Sequence, residues 1–159
     1  MTVKLRWQTR RQPFISPLDP APRTAVLVPW FRSSRAVQPI AAQAIAGTLD
    51  QLLALAGTAA PTHALIVVGR AHHPRLRESD RDRLWQAFRV PVFEQIIGRA
   101  GALLAAECDA HDGLHILSPK LDVAGERIDA SPCACGRKTP RLMPAEVAEL
   151  VRHAAAFAR

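Results

Sequence analysis

Apolar positions fall along this chain in blocks whose period changes from one block to the next. Thr24-Ala-Val-Leu-Val-Pro29 and Ala64-Leu-Ile-Val-Val68 are short unbroken apolar runs, the pattern of strands buried on both faces. Between them, Ile40, Ala44, Ile45, Leu49, Leu52, Leu53 and Ala56 recur at helical spacing. This predicts a helix over Pro39–Ala56 that ends where Gly57 supplies a cap. Gly69 closes the second run, and a polar, basic turn follows from Arg70 to Arg77. Ser79 or Asp80 can then cap a second helix that carries Leu84, Trp85 and Phe88 on one face.

Val90-Pro-Val-Phe93 predicts a strand leading to Gly98. Leu103–Cys108 and Leu114–Leu117 predict two antiparallel strands, joined by Asp109-Ala-His-Asp-Gly113, which has hairpin chemistry. Residues 131–144 read as a loop, and Pro144 opens a last amphipathic helix reaching about Phe157. Residues 1–23, with Pro13, Pro17, Pro20 and Pro22, read as an extended arm. The order predicts a single α/β domain over residues 24–159. Its sheet is expected to be partly parallel, flanked by helices and extended by an antiparallel hairpin.

Length and composition change this picture only in part. A chain of 159 residues with 48% hydrophobic content fits one domain with a proper core. No apolar run reaches the length of a membrane span, and no apolar stretch follows the basic N-terminus as a secretory signal would require. The net charge is +7, and only Lys4, Lys120 and Lys138 of the 21 basic residues are lysines. Lys4, Arg6, Arg10, Arg11, Arg23, Arg32 and Arg35 face Asp19 alone in residues 1–35. Such a stretch attracts acidic partners, but a chain with no tyrosine and 5% aromatic residues offers no base-stacking platform. Nucleic acid is therefore disfavoured as a partner, and a solvated basic arm is the simpler reading.

The candidate chemistry lies in three cysteines, an odd number that cannot form a disulfide framework and that fits a reducing, cytoplasmic compartment. Cys108, His115, Cys133 and Cys135 have the spacing Cys-x6-His-x17-Cys-x-Cys. Facing hairpin strands would bring Cys108 and His115 together, and Gly136 would let the Cys133-Ala-Cys135 turn point both sulfurs inward. Three thiolates and an imidazole suit a closed tetrahedral zinc site, which leaves no position for a reactive water. His111 competes with His115 for the fourth position, and Glu107 or Asp109 could intrude. The alternative makes Cys108 a small buried hydrophobe and the other two loop thiols. His72-His73 is a poor chelate, because adjacent side chains point apart in extended chain.

Three blocks carry a resemblance over about residues 64–142. They are Phe88-Arg-Val-Pro-Val-Phe-Glu-Gln-Ile-Ile-Gly98, Glu107-Cys-Asp-Ala-His-Asp-Gly-Leu-His-Ile116 and Cys133-Ala-Cys-Gly-Arg-Lys-Thr-Pro-Arg-Leu142. In this order they resemble the phenylacetate–CoA ligase branch of the adenylate-forming enzymes, in which the Cys and His of these blocks can hold zinc. The family's Tyr-Gly-x-Thr/Ser-Glu motif binds the adenylate and helps hold magnesium. Here its register reads Ile97-Gly-Arg-Ala-Gly101, which keeps only Gly98.

The Ser/Thr/Gly-rich phosphate loop is absent from residues 1–69, and the chain leaves no room for the lid that bears the catalytic lysine. The resemblance thus implies a ligase-like subdomain that does not adenylate on its own. Its expected role is a binding or accessory module for an acyl or aryl substrate, a nucleotide-like ligand or a complete ligase, with a homodimer as a further expectation. The contrasting expectation is a small enzyme using Glu94, Glu107, His111 or Asp112 as acid–base groups, which nothing in the sequence places together.

Overall fold

The computed structural model describes residues 25–27, 43–71, 74–98 and 101–144, with residues 25–27 described by backbone alone. The arm over residues 1–23, His72-His73 and the helix expected after Pro144 lie outside the described residues.

Within them the strands are β1 (Ala25–Leu27), β2 (Ala44–Gly47), β3 (Ala64–Arg70), β4 (Val92–Ile97), β5 (Leu103–Glu107), β6 (Leu114–Ile116), β7 (Ile128–Asp129) and β8 (Arg141–Leu142). The helices are α1 (Leu49–Ala54) and α2 (Glu78–Phe88). The strands form one eight-stranded sheet in the order β1-β2-β3-β4-β5-β6-β8-β7. β1 to β4 pair in parallel, and every pairing from β4 onward is antiparallel. A partly parallel sheet flanked by helices and extended by antiparallel strands is thus the observed architecture.

The expected helix over Pro39–Ala56 is corrected. Ala44–Gly47 is a strand paired between β1 and β3, and helix begins only at Leu49. Four buried apolar residues in a row satisfy either period, and pairing on both sides decides for strand here. The switch to helix is marked by a capping box. Gln51 N donates to Thr48 Oγ1 at 3.3 Å, and Thr48 N donates to Gln51 Oε1 at 2.9 Å. α2 starts at Glu78, with Arg77 rather than Ser79 or Asp80 in the N-cap position.

α1 and α2 pack on one face of the parallel strands. Leu52, Leu84 and Phe88 meet Ile45, Leu65, Val67 and Val92 in one apolar cluster. That face continues across the antiparallel strands as Ile96, Ala105, Leu114 and Leu142. Side chains alternate across a strand, so Gln95, Ala106, His115 and Arg141 belong to the opposite face. Among the described residues no helix is long and apolar enough to cross a membrane.

Candidate metal centre

β5 ends at Glu107 and delivers Cys108 to the turn of the hairpin, while β6 returns with His115 at its centre. β8 lies alongside β6, with Arg141 opposite His115. This places the cysteine turn just before β8 over the hairpin. The turn itself is closed by Gly136 N donating to Cys133 O at 2.9 Å and by Cys133 N donating to Arg137 O at 3.2 Å. Gly136 sits at φ 83°, a left-handed backbone that glycine accepts without strain.

The result brings the four expected ligands together. One donor atom from each of Cys108, His115, Cys133 and Cys135 lies within 4.8 Å of the others, close enough to hold a metal ion. Cys108 Sγ and Cys133 Sγ are 3.6 Å apart, and Cys135 Sγ is 3.3 Å from His115 Nε2. A tetrahedron with metal–sulfur bonds of about 2.3 Å and a metal–nitrogen bond of about 2.0 Å has edges of roughly 3.5 to 3.8 Å. The Cys108–Cys133 and Cys135–His115 separations are close to that size, and the whole set lies within 4.8 Å. Cys108, His115 and Cys133 are buried and Cys135 is partly so.

The electrostatics suit binding of a cation. Burial pushes the Cys108 thiol up to about 12, so a metal ion has a proton to displace there. At Cys133 burial also opposes ionisation, but hydrogen bonds from Cys135 and Cys108 and the charge of Arg141 hold the thiol below its ordinary value. Burial lowers the His115 pKa and keeps the imidazole neutral, the form that ligates. Thr139 Oγ1 hydrogen-bonds His115 Nδ1 at 2.8 Å, which leaves Nε2 facing the sulfurs.

Two residues that the sequence did not single out tie this region down. Thr139 is the first. The second is Arg141, 1% exposed, which forms ion pairs with Asp112 and with Asp129 (2.6 Å) and donates to Ser131 Oγ at 3.1 Å. An arginine in a polar stretch carries no signal of burial, so only the fold reveals its place.

The alternative ligands go elsewhere. His111 Nδ1 lies 3.0 Å from Glu107 Oε1, and its ring stacks on Phe93. Neither Glu107 nor Asp109 belongs to the converging set. Of the four acid–base candidates, Glu94, Glu107 and His111 come together on the helix-covered side of the sheet, along a cavity of about 1000 Å³. Asp112 does not join them, because it pairs with Arg141.

No family model and no curated protein matches the chain. Among solved structures it is similar to an open conformation of 2-hydroxyisobutyryl-CoA ligase in complex with 2-HIB-AMP and CoA. The TM-score is 0.49 at 14% identity, over 64% of this chain and 32% of that one. The chain thus spans about a third of that structure's length.

Proposed function

We propose that this chain is a zinc-stapled binding or accessory module of ligase type, working in the cytoplasm without adenylation chemistry of its own. The observation that supports the reading is the convergence of donor atoms from Cys108, His115, Cys133 and Cys135 within 4.8 Å of one another. Three sulfurs and one nitrogen are a soft donor set that suits zinc, and four protein ligands leave no open coordination position. Such an ion stabilises a fold rather than activating water. What it holds here is the hairpin β5–β6 against the turn before β8.

The ligase reading rests on the three sequence blocks, which in this structure occupy β4, the β5–β6 hairpin and the cysteine turn with β8. The lack of adenylation rests on the segment after β4. Gly98 N donates to Ala102 O at 2.8 Å and turns the chain toward β5. Ile97-Gly-Arg-Ala-Gly101 brings no carboxylate for magnesium and no aromatic ring for a base. An acyl or aryl acid, a nucleotide-like molecule or a complete ligase are the partners this reading admits, with self-association as a further form.

Metal analysis of the purified chain tests it, with about one zinc per chain expected from a single four-ligand site. Incubation with ATP, magnesium and a panel of aryl and aliphatic acids is expected to release no pyrophosphate. Acid-dependent pyrophosphate release that heat inactivation abolishes would overturn the second half of the reading. A metal-free yet fully stable protein would overturn the first.

A further inference from the structure

The three sulfurs of the metal centre differ in their access to solvent. Cys108 is 2% exposed and Cys133 4%, whereas Cys135 is only partly covered. Cys135 is therefore the corner at which a small solute can reach the cluster. His115 behind it is fully buried, with Nε2 3.3 Å from Cys135 Sγ. Cys108 belongs to a different segment, directly after β5 and 27 residues before Cys135.

Buried structural cysteines resist oxidation, and the reactive ones are accessible thiolates with a second thiol in reach. Cys135 meets both conditions. All donor atoms of the cluster lie within 4.8 Å of one another, so Cys108 Sγ is no farther than that from Cys135 Sγ. A disulfide needs its sulfurs at about 2.05 Å, a closure within reach of side-chain rotation and a small shift of a surface turn. Cys133 is the poorer partner for Cys135, because only Ala134 separates them. The backbone between them is fixed by Gly136 N donating to Cys133 O at 2.9 Å and Cys133 N donating to Arg137 O at 3.2 Å. Three thiolates around a divalent ion also leave one net negative charge, which keeps electron density on sulfur.

We propose that Cys135 is a modification site for hydroperoxides and that Cys108 completes a disulfide with it, so that oxidation abolishes metal binding. In the first step the Cys135 thiolate sulfur bonds to the hydroxyl oxygen of the hydroperoxide. The oxygen–oxygen bond breaks, alkoxide or hydroxide leaves, and Cys135 becomes a sulfenic acid. The Cys108 thiolate then bonds to the Cys135 sulfur, the sulfur–oxygen bond breaks, and hydroxide leaves. Two thiolates have lost two electrons to one hydroperoxide. Two protons from solvent convert the leaving groups to water and to an alcohol, or to two waters when the oxidant is hydrogen peroxide. The disulfide ties the hairpin to the cysteine turn in place of the ion. Cys133 and His115 remain as donors, too few to close a tetrahedron.

This proposal rests on the zinc reading, and the experiment separates the two. Metal content of the purified full chain is measured before any oxidant is added. A chain without zinc fails the zinc reading there, and the peptide map described next still decides the cysteine pairing. The zinc-loaded chain is then treated with a small molar excess of hydrogen peroxide. Released zinc is followed with a colorimetric chelator, and the cysteines are mapped by mass spectrometry of non-reduced peptides. The expected result is loss of the bound zinc together with one disulfide between Cys108 and Cys135. A thiol reductant with added zinc is expected to restore the metal. Cys135→His, which keeps four donors of zinc chemistry, is expected to retain its zinc under the same treatment. If that variant holds no zinc, the peptide map of the parent chain decides alone. Zinc retained by the parent chain through the treatment, or lost without a link between Cys108 and Cys135, overturns the proposal.

Discussion

Cys133 and His115 make the sharpest comparison with His111, because all three lie within one small region yet do different work. Cys133→Ser and His115→Ala are expected to lose most of the bound metal and to lower Tm together, since binding free energy in such a site is also folding free energy. His111→Ala is expected to keep about one metal per chain, because its ring is engaged with Glu107 and Phe93 and is not among the converging donors. Metal content by mass spectrometry alongside thermal melting checks both, and a reversal of the two histidines would reassign the ligand. The clustering of these four residues was legible in the sequence because residue type and spacing state their shared chemistry directly. Thr139 and Arg141 were not. A threonine that orients an imidazole and an arginine that is 1% exposed look like ordinary polar residues until the strands around them are known.

β2 and α1 show where pattern reading stops being decisive. Ala44–Gly47 and Leu49–Ala54 together satisfy a helical period, yet the chain divides them at Thr48. The Thr48 to Gln51 capping box was the local signal, and the demand for a strand between β1 and β3 was the non-local one. Only the first can be read from neighbouring residues. Thr48→Ala is therefore expected to destabilise the protein by about 1 kcal/mol, as loss of an N-cap does. It should leave metal content unchanged, because α1 packs on the parallel strands and not on the cysteine turn. Denaturant unfolding of the variant, with metal measured in parallel, checks this. The strands that matched expectation, β1, β3, β4 and the β5–β6 pair, are bounded in the sequence by proline, glycine or turn chemistry. β7 and β8, two residues each, are too short for any periodicity to mark.

For the whole molecule, acid is expected to release the metal and the fold together. The His115 pKa is lowered from 6.5, so its contribution to stability is complete above that value and is lost as pH falls through the lowered one. Glu94 works in the other direction. Burial raises its pKa from 4.5, so its ionisation weakens the fold as pH rises through the raised value. A structural zinc ion contributes of order 10 kcal/mol, so the ligand side sets the net sign. Tm measured across pH with and without a chelator is expected to fall below pH 6.5, more steeply when metal is present. An identical profile in both samples would detach the metal from stability. The reversal of strand direction at β4 also bears on the order in which the chain assembles. The widest gap in the cluster, His115 to Cys133, is 18 residues, and the parallel pairs Ala25–Ala44, Ala44–Ala64 and Leu65–Val92 are 19, 20 and 27 apart, so loop closure costs the two halves nearly the same. A ribosome delivers those parallel strands first. Capture of an ion by the late strands would then tip the order, making them the first stable seed against which the earlier ones dock.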